Sequence, residues 1–266
     1  MKHRSEGATA LVGMAGFVVG AQIDVDGELW LWVETTAHEV GCGSCGTMAV
    51  GHGRRQVKVR DLPVSGRPVV LVWSKRLWRC PDPDCATVTW SEASDAIGPR
   101  ASLTARARAE IARRVGHGKE PVARVADEFG VGWHTAWAAV VEHGVPQVVD
   151  PARLTATPAV GIDEHCFARG RIDRRARWAS VIADVAHGRV LDVVEGHDQG
   201  PVRAWFAAQD PAWLADVEVV CCDPYNPYRS AITRPGGDGT APLAHAAVVA
   251  DGFHIVGLGN DRVLKT

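Results

Sequence analysis

Two pairs of cysteines constrain the fold of the first third of this chain more than any other feature. Two residues separate Cys42 from Cys45, four separate Cys80 from Cys85, and 34 residues lie between the pairs. This pattern is typical of a structural zinc site, in which turns of a β-ribbon present four thiolates to one ion. The sequence therefore predicts zinc bound by these four side chains. Two alternatives are four thiols without metal, and a ligand set that includes His52.

Positive charge is concentrated around and after these cysteines, although the formal net charge of the 266-residue chain is only −2. Residues 54–79 contain eight Lys or Arg side chains against one acid, and residues 100–124 contain seven against two. Because the excess is local, it indicates specific docking surfaces for nucleic acid rather than a uniformly basic protein. The hydrophobic content of 46% and the charged content of 23% are typical of a globular protein.

The seven cysteines and the first residues of the chain bear on its compartment. The apolar stretch within residues 1–20 is short, rich in glycine and continuous with a strand-like pattern, so it predicts structure rather than a signal peptide. No segment approaches the roughly 20 apolar residues of a membrane span. We therefore expect no membrane partner and a cytoplasmic, nucleoid-associated protein, because cysteine pairs in a reducing compartment more often bind metal than form disulfides.

Short strands are predicted on both sides of the first cysteine pair. Apolar runs at 11–22 and 29–33 flank an Asp-Gly turn at 26–27, which is a hairpin signal. Between the two cysteine pairs, residues 56–62 and 68–78 have the pattern of two further strands. This part of the chain is therefore expected to be rich in β-structure.

The pattern becomes helical after residue 100. Ser102 is predicted to cap a first helix, and this helix is predicted to end at Gly116-His117-Gly118. Pro121 opens a second helix, 122–129, in which apolar residues recur at helical spacing. After a Gly-Val-Gly turn, a third helix is predicted over 133–142.

The second and third of these helices fit a helix-turn-helix motif. Ala126 is small enough for two helices to approach closely, and Gly130 suits the sharp turn four residues later. In such a motif the second helix lies in the major groove of DNA. The alternative is an ordinary helical hairpin. The residues expected to contact DNA are Trp133, His134, Thr135 and Arg124.

The predicted secondary structure changes at residue 159, after a linker, to strands that alternate with helices. Five strands are predicted, at 160–163, 178–184, 189–195, 217–222 and 246–250. A helix is predicted at 201–209, and mixed strands that alternate with helices indicate an α/β domain.

Acidic residues are predicted at the ends of two of these strands, where Asp163 and Asp223 lie. Paired carboxylates on neighbouring strands can bind two Mg²⁺ or Mn²⁺ ions, which activate a water or a DNA 3′-hydroxyl. A lone aspartate at a strand end more often caps a turn, and that alternative applies to each of them. Glu164 is expected on the opposite face of the strand, because side chains alternate along it.

Several stretches carry a resemblance to one family. They are 161–167 (Gly-Ile-Asp-Glu-His-Cys-Phe), 178–184, 189–196, 222–228, 243–254, the two cysteine pairs, 60–63, 66–68 and 90–92. From about residue 11 to residue 260 they occur in the expected order. Together they resemble the insertion-sequence transposases of the ISL-three family.

The resemblance implies an α+β multidomain protein with three parts. These are a β-rich zinc-ribbon-like module (1–99), a helix-turn-helix DNA-binding module (100–150) and an incomplete ribonuclease-H-like α/β catalytic domain (151–266). It implies DNA strand cleavage and transfer, with Asp163 and Asp223 as catalytic acids that bind Mg²⁺ or Mn²⁺. The implied partners are double-stranded DNA at the terminal repeats of the element and further copies of the chain. Asp251 and His254 fall in a recurrent Asp-x-Phe-His segment, to which no role is assigned.

One departure from the family pattern concerns its third acid, a glutamate that follows the Phe-His segment. No glutamate occurs after Glu218. The expectation is therefore a C-terminally truncated transposase that binds DNA with little or no catalysis by itself. The alternatives are a non-catalytic zinc and helix-turn-helix regulator, and a structure-specific nuclease.

Overall fold

The computed structural model describes residues 6–37, 39–168, 170, 176–237, 239 and 241–264. The chain divides into two compact units, Met1–Asp150 and Pro151–Thr266. Among the described residues, the α-helices are α1 (Glu6–Val12), α2 (Ala105–Gly116), α3 (Val122–Phe129), α4 (Trp133–Val148), α5 (Gln199–Ala207), α6 (Pro211–Ala215), α7 (Asn226–Thr233) and α8 (Gly252–Val263). The strands are β1 (Phe17–Val25), β2 (Glu28–Thr35), β3 (Val50–Val64), β4 (Arg67–Arg79), β5 (Thr89–Ser91), β6 (Ala159–Ala168), β7 (Arg177–Asp184), β8 (Arg189–Glu195), β9 (Val219–Cys222) and β10 (Ala247–Ala250). None of these helices is long and apolar enough to cross a membrane.

The first unit is built on one sheet with the strand order β1-β2-β4-β3, and β5 pairs with β4. The predicted hairpin is confirmed, because β1 and β2 pair antiparallel across Asp26 and Gly27, which both have positive φ (52° and 82°). β2 and β4 run parallel, and the long hairpin of β3 and β4 spans the segment between the cysteine pairs. One face of the sheet is buried against α1, with Trp73, Leu71 and Leu31 fully buried.

The predicted strand at 11–22 is wrong in its first part. Residues 6–12 form α1, which ends where the N–H of Gly13 donates to the carbonyl of Thr9. Strand β1 begins only at Phe17, and the hydroxyl of Thr9 accepts the N–H of Val19. The segment 8–12 therefore belongs to a helix that covers the sheet. The sequence pattern did not distinguish a helix from a strand here, because the apolar run is short.

Helices α2, α3 and α4 complete the first unit. Thr104, rather than the predicted Ser102, caps α2, since its hydroxyl accepts the N–H of Ala107. The carbonyl of Ser102 instead accepts the N–H of Arg60, so this segment extends the sheet before the helix begins. The second helix has the predicted bounds, whereas α4 continues six residues beyond the predicted end and contains Pro146.

The second unit contains a five-stranded sheet with the order β10-β9-β6-β7-β8. Strands β6, β7 and β8 are antiparallel neighbours, and β9 and β10 run parallel to β6. The core lies between this sheet and helices α5, α6 and α7. Its fully buried side chains include Phe206, Tyr228, Ile182, Ile232 and Leu243.

Candidate functional site

The four cysteines of the two pairs come together in the first unit. Their sulfur atoms all lie within 4.8 Å of one another, with 3.7 Å between Cys42 and Cys85 and 3.6 Å between Cys45 and Cys80. A disulfide would require about 2.05 Å. Four sulfurs at about 2.3 Å from one zinc ion, arranged as a tetrahedron, lie about 3.8 Å apart. The donor set and its spacing therefore fit a single zinc ion, and His52 is not in this group of described side chains.

Local turns aim these thiols inward. The N–H of Cys42 bonds to the carbonyl of Thr47, and its carbonyl accepts the N–H of Gly46, which closes a tight knuckle. Backbone N–H groups of Cys45 and Ser44 lower the pKa of the Cys42 thiol to about 7, whereas burial raises the pKa of Cys80 to about 12.

Helices α3 and α4 form the helix-turn-helix that the sequence predicts. Gly130 ends α3 in the left-handed conformation (φ 63°), and its N–H bonds back to the carbonyls of Ala126 and Asp127. A Cβ at this position would lie 2.7 Å from Nη1 of Arg60 and 3.1 Å from Cβ of Pro68. The turn therefore requires glycine for two reasons, its backbone conformation and its close contact with the sheet.

Three of the residues predicted to contact DNA lie in the first turn of α4, and the fourth, Arg124, lies on α3. Trp133 is 46% exposed and His134 is exposed, whereas Thr135 is half-buried. The Arg124 side chain is 69% exposed and lies 3.3 Å from Glu128. The structure also shows a residue that the sequence analysis missed, Trp137, whose ring stacks on Trp133 with a centroid separation of 5.6 Å. The signal was present in the sequence, because the two tryptophans are four positions apart, which places them on the same face of a helix.

Part of the predicted basic surface is used inside the fold. Arg106 pairs with the buried Asp61 on β3, and Arg76 pairs with the buried Glu92. The guanidinium of Arg114 binds both Glu120 and Glu128, which joins α2 to the start and end of α3. These arginines hold the domain together, so the count of basic residues in the sequence overstates the positive charge that is free at the surface.

Asp163, Asp223 and His254 meet at one edge of the second sheet. One potential ligand atom from each lies within 4.8 Å of the other two. Asp223 directly follows β9, as the sequence indicated. The prediction that Asp163 ends its strand is wrong, because β6 continues to Ala168 in register with β7. His254 lies in the first turn of α8, and its Nε2 is 2.6 Å from Oδ1 of Asp223.

Asp223 is the most buried member of this group, at 8% exposure. Burial raises the pKa of its carboxyl; His254 opposes that rise, and the nearby carboxylates of Glu164, Asp163 and Asp251 add to it. Mutual repulsion among carboxylates in a confined space is relieved when a cation binds between them. The electrostatics of the cluster therefore favour a bound positive charge.

Glu164 and Asp163 approach Asp223 from opposite faces of β6. Asp163 lines a cleft with Asp251, and Glu164 lines a separate cavity of about 430 Å³ with Asp223 and His254. The alternation of side chains along the strand and the approach of Asp163 to Asp223 were therefore anticipated, but the closeness of Glu164 to Asp223 was not. Oε2 of Glu164 is buried and has no hydrogen-bond partner among the described residues.

Asp251 has a local role at the start of α8. Its carboxylate accepts the N–H of Phe253 at 2.9 Å, and its carbonyl accepts the N–H of Ile255. This bonding satisfies N–H groups that would otherwise be unpaired at a helix start. Asp251 thereby fixes the turn of α8 that carries His254.

Comparisons with known families follow the same three-part order. The zinc-finger of transposase IS204/IS1001/IS1096/IS1165 matches residues 38–85. The helix-turn-helix domain of transposase family ISL3 matches residues 92–144, and the transposase domain of the same family matches residues 160–266. No curated protein matches the sequence of the chain. Three successive domain matches to one family, over segments that contain the cysteine cluster, the helix-turn-helix and the acidic cluster, place this chain in transposase family ISL3.

Proposed function

We propose that this chain binds double-stranded DNA at the ends of a mobile element and takes part in metal-dependent strand cleavage and transfer. The observation that carries the proposal is the convergence of Asp163, Asp223 and His254 at one edge of the sheet. The family membership of the chain supports the DNA-binding part.

The topology of the second unit supports a ribonuclease-H-like catalytic domain over 151–266. The central strand β6 carries Asp163, its parallel neighbour β9 leads into Asp223, and an antiparallel pair of strands lies on the other side. Because Ile162 on β6 pairs with Cys222 on β9, the residues that follow them, Asp163 and Asp223, lie side by side where the parallel ladder ends. The fold therefore provides a fixed separation between the two acids.

Asp163 and Asp223 would hold the catalytic Mg²⁺ or Mn²⁺, since carboxylate oxygens are the ligands that these ions prefer. When bound, such an ion stabilises the charge that develops on phosphodiester oxygens and activates a water. The imidazole of His254 fixes the carboxylate of Asp223 and stabilises its ionised form. The adjoining cavity, lined by Glu164, Tyr225 and Phe253, lies where a scissile phosphodiester can approach these acids.

The first unit supplies DNA binding in this proposal. The zinc-ribbon-like module, 1–99, holds one structural zinc at the four cysteines, and the helix-turn-helix module, 100–150, inserts α4 into the major groove. Trp133, His134 and Thr135 would then lie near base edges, with Arg124 near a phosphate. A further copy of the chain would contact the other end of the element.

The direct test uses Mn²⁺ and DNA that carries the sequences flanking the gene. Wild-type protein is expected to bind Mn²⁺, whereas Asp163→Asn and Asp223→Asn lower the affinity for Mn²⁺ by at least tenfold. Asp216→Asn is the matched control, because Asp216 is exposed at the end of α6. Mn²⁺ affinity that is unchanged in both site variants would refute the metal site. DNA binding without any Mn²⁺-dependent cleavage would make the chain a non-catalytic DNA-binding protein.

A further inference from the structure

One stripe of the exposed surface of α4 is apolar over the first three turns. Trp133, Trp137 and Val141 follow one another at intervals of four residues and are 46%, 43% and 41% exposed. Ala138 is also exposed beside them, whereas Ala136 and Ala139 face the buried side against the other helices. The side of the helix that points away from the domain therefore presents a tryptophan pair and aliphatic side chains.

The first turns of α4 lack the Lys, Arg, Asn and Gln side chains that most often recognise bases by hydrogen bonds. The whole helix contains no Lys, Arg or Asn. Its one glutamine, Gln147, lies in the last turn and donates to the carbonyl of His143. Its one acid, Glu142, lies 3.3 Å from Arg108. Apart from the indole N–H groups of the two tryptophans, hydrogen-bonded recognition from the first turns is therefore limited to His134 and Thr135.

Thymine is the base whose major-groove edge offers an apolar group, its C5 methyl. We propose that Trp133 and Trp137 recognise thymine methyl groups in the major groove, so that the bound sequence is selected mainly by apolar contacts. This inference rests on the proposed DNA-binding role of the helix-turn-helix. It goes further by naming the base and the chemical group that the helix selects.

The match of this segment to the helix-turn-helix domain of a transposase family favours DNA as the occupant of the apolar face. Arg124 on α3 and Lys119, just before α3, are exposed and provide positive charge for phosphates beside the groove. A second copy of the chain is the other conceivable occupant. The exposed parts of the two tryptophans amount to roughly 100 Å² each, far below the roughly 800 Å² per partner that a stable dimer buries.

The experiment begins with selection of bound duplexes from a random pool by the full chain at fixed salt. In the selected duplex, each thymine is then replaced singly by uracil, which removes only the methyl group. Removal of a contacted methyl is expected to weaken binding by the wild-type protein about fourfold at one or two positions. The Trp137→Ala variant is expected to bind the thymine duplex more weakly than the wild type does. Its affinity should not change further when the same thymines are replaced by uracil, so the effects of the protein substitution and of the methyl removal are not additive.

Val145→Ala is the matched control, because Val145 is exposed on the same helix about 18 Å beyond Trp133. This variant should keep the methyl sensitivity of the wild type. Equal affinity of the wild type for every thymine and uracil duplex overturns the inference and leaves the DNA-binding function standing. The inference is also overturned if Trp137→Ala lowers the affinity equally for the thymine and the uracil duplexes, or if its one effect is to convert a dimer of the chain to a monomer. Failure to enrich any duplex overturns the inference together with the DNA-binding function.

Discussion

Nε2 of His254 lies 2.6 Å from Oδ1 of Asp223, which joins the first turn of α8 to the residue that follows β9. This contact brings a titratable base to the most buried acid of the cluster. It also explains how a helix outside the sheet takes part in the site. In the metal-binding role proposed above, the affinity of the site for the ion would therefore depend on His254 even where His254 is not a ligand.

The first prediction concerns His254→Ala. Burial raises the pKa of Asp223 and His254 lowers it, so loss of the imidazole raises that pKa further. Because only the ionised carboxylate binds metal, Mn²⁺ affinity should fall about 10- to 100-fold, and more at pH 6 than at pH 8. Mn²⁺ titrations at both pH values measure this effect. His245→Ala, at an exposed position, should behave like the wild type, and an equal loss at both pH values would contradict the electrostatic role.

The second prediction concerns the cysteine cluster. Cys42→Ser should lose the bound zinc and destabilise the first unit, because metal binding and folding are coupled in sites of this kind. Elemental analysis and thermal unfolding measure the two effects. Cys166→Ser is the control, since Cys166 lies in the other unit, where its thiol donates to the carbonyl of Ala168. One zinc per chain retained in Cys42→Ser would rule out the proposed ligand set.

Gly130→Ala tests the turn of the helix-turn-helix. The positive φ alone costs about 1–2 kcal/mol for an L-residue, and the new Cβ meets Arg60 and Pro68. Denaturant unfolding followed by tryptophan fluorescence reports mainly on the first unit, which holds seven of the ten tryptophans. Gly144→Ala is a control of opposite sign, since Gly144 lies inside α4 with open space at its Cβ position. It should stabilise the protein by about 0.5–1 kcal/mol, and similar effects of the two variants would refute the argument.

Acid stability of the second unit should depend on Asp184. Burial raises the pKa of this carboxyl, but hydrogen bonds from Arg189 and His187 together lower the pKa by more than burial raises it, to about 2. An aspartate in the unfolded chain has a pKa of about 3.9, so the stabilisation is present above that pH and is lost as the pH falls towards 2. Asp184→Asn should lower the Tm at pH 7 and flatten its dependence on pH below 4. A variant with the same acid profile as the wild type would exclude this role.

The fifth prediction concerns phosphate contacts. Arg124→Ala should weaken DNA binding at all sequences and reduce the slope of log K against log salt concentration by about 0.9. Arg229→Ala, an exposed arginine in the second unit, should leave the slope unchanged. Titrations of one duplex over a range of salt concentrations measure both slopes. An unchanged slope in Arg124→Ala would remove this residue from the interface.

Local patterns in the sequence predicted the features that depend on nearby residues. The cysteine spacing defined the cluster, and Pro121 and Gly130 defined the bounds of α3. Long-range pairing decided what was missed. Strand β6 continues past Asp163 because His165 pairs with Ala179 and Cys166 with Trp178 on β7, which no local pattern reveals. The contact of His254 with Asp223 likewise depends on how α8 leaves β10.

Arg60 illustrates a mechanical consequence of the first unit. Its N–H and carbonyl bond to the segment that begins α2, while its guanidinium bonds to Glu28 and abuts the turn at Gly130. These contacts fix the turn that precedes α4 against the sheet, so that the sheet and α4 form one rigid unit. In the proposed DNA-binding role, a rigid unit contacts bases at a fixed spacing. A DNA site lengthened by one base pair between two contacted positions should therefore bind this chain much more weakly.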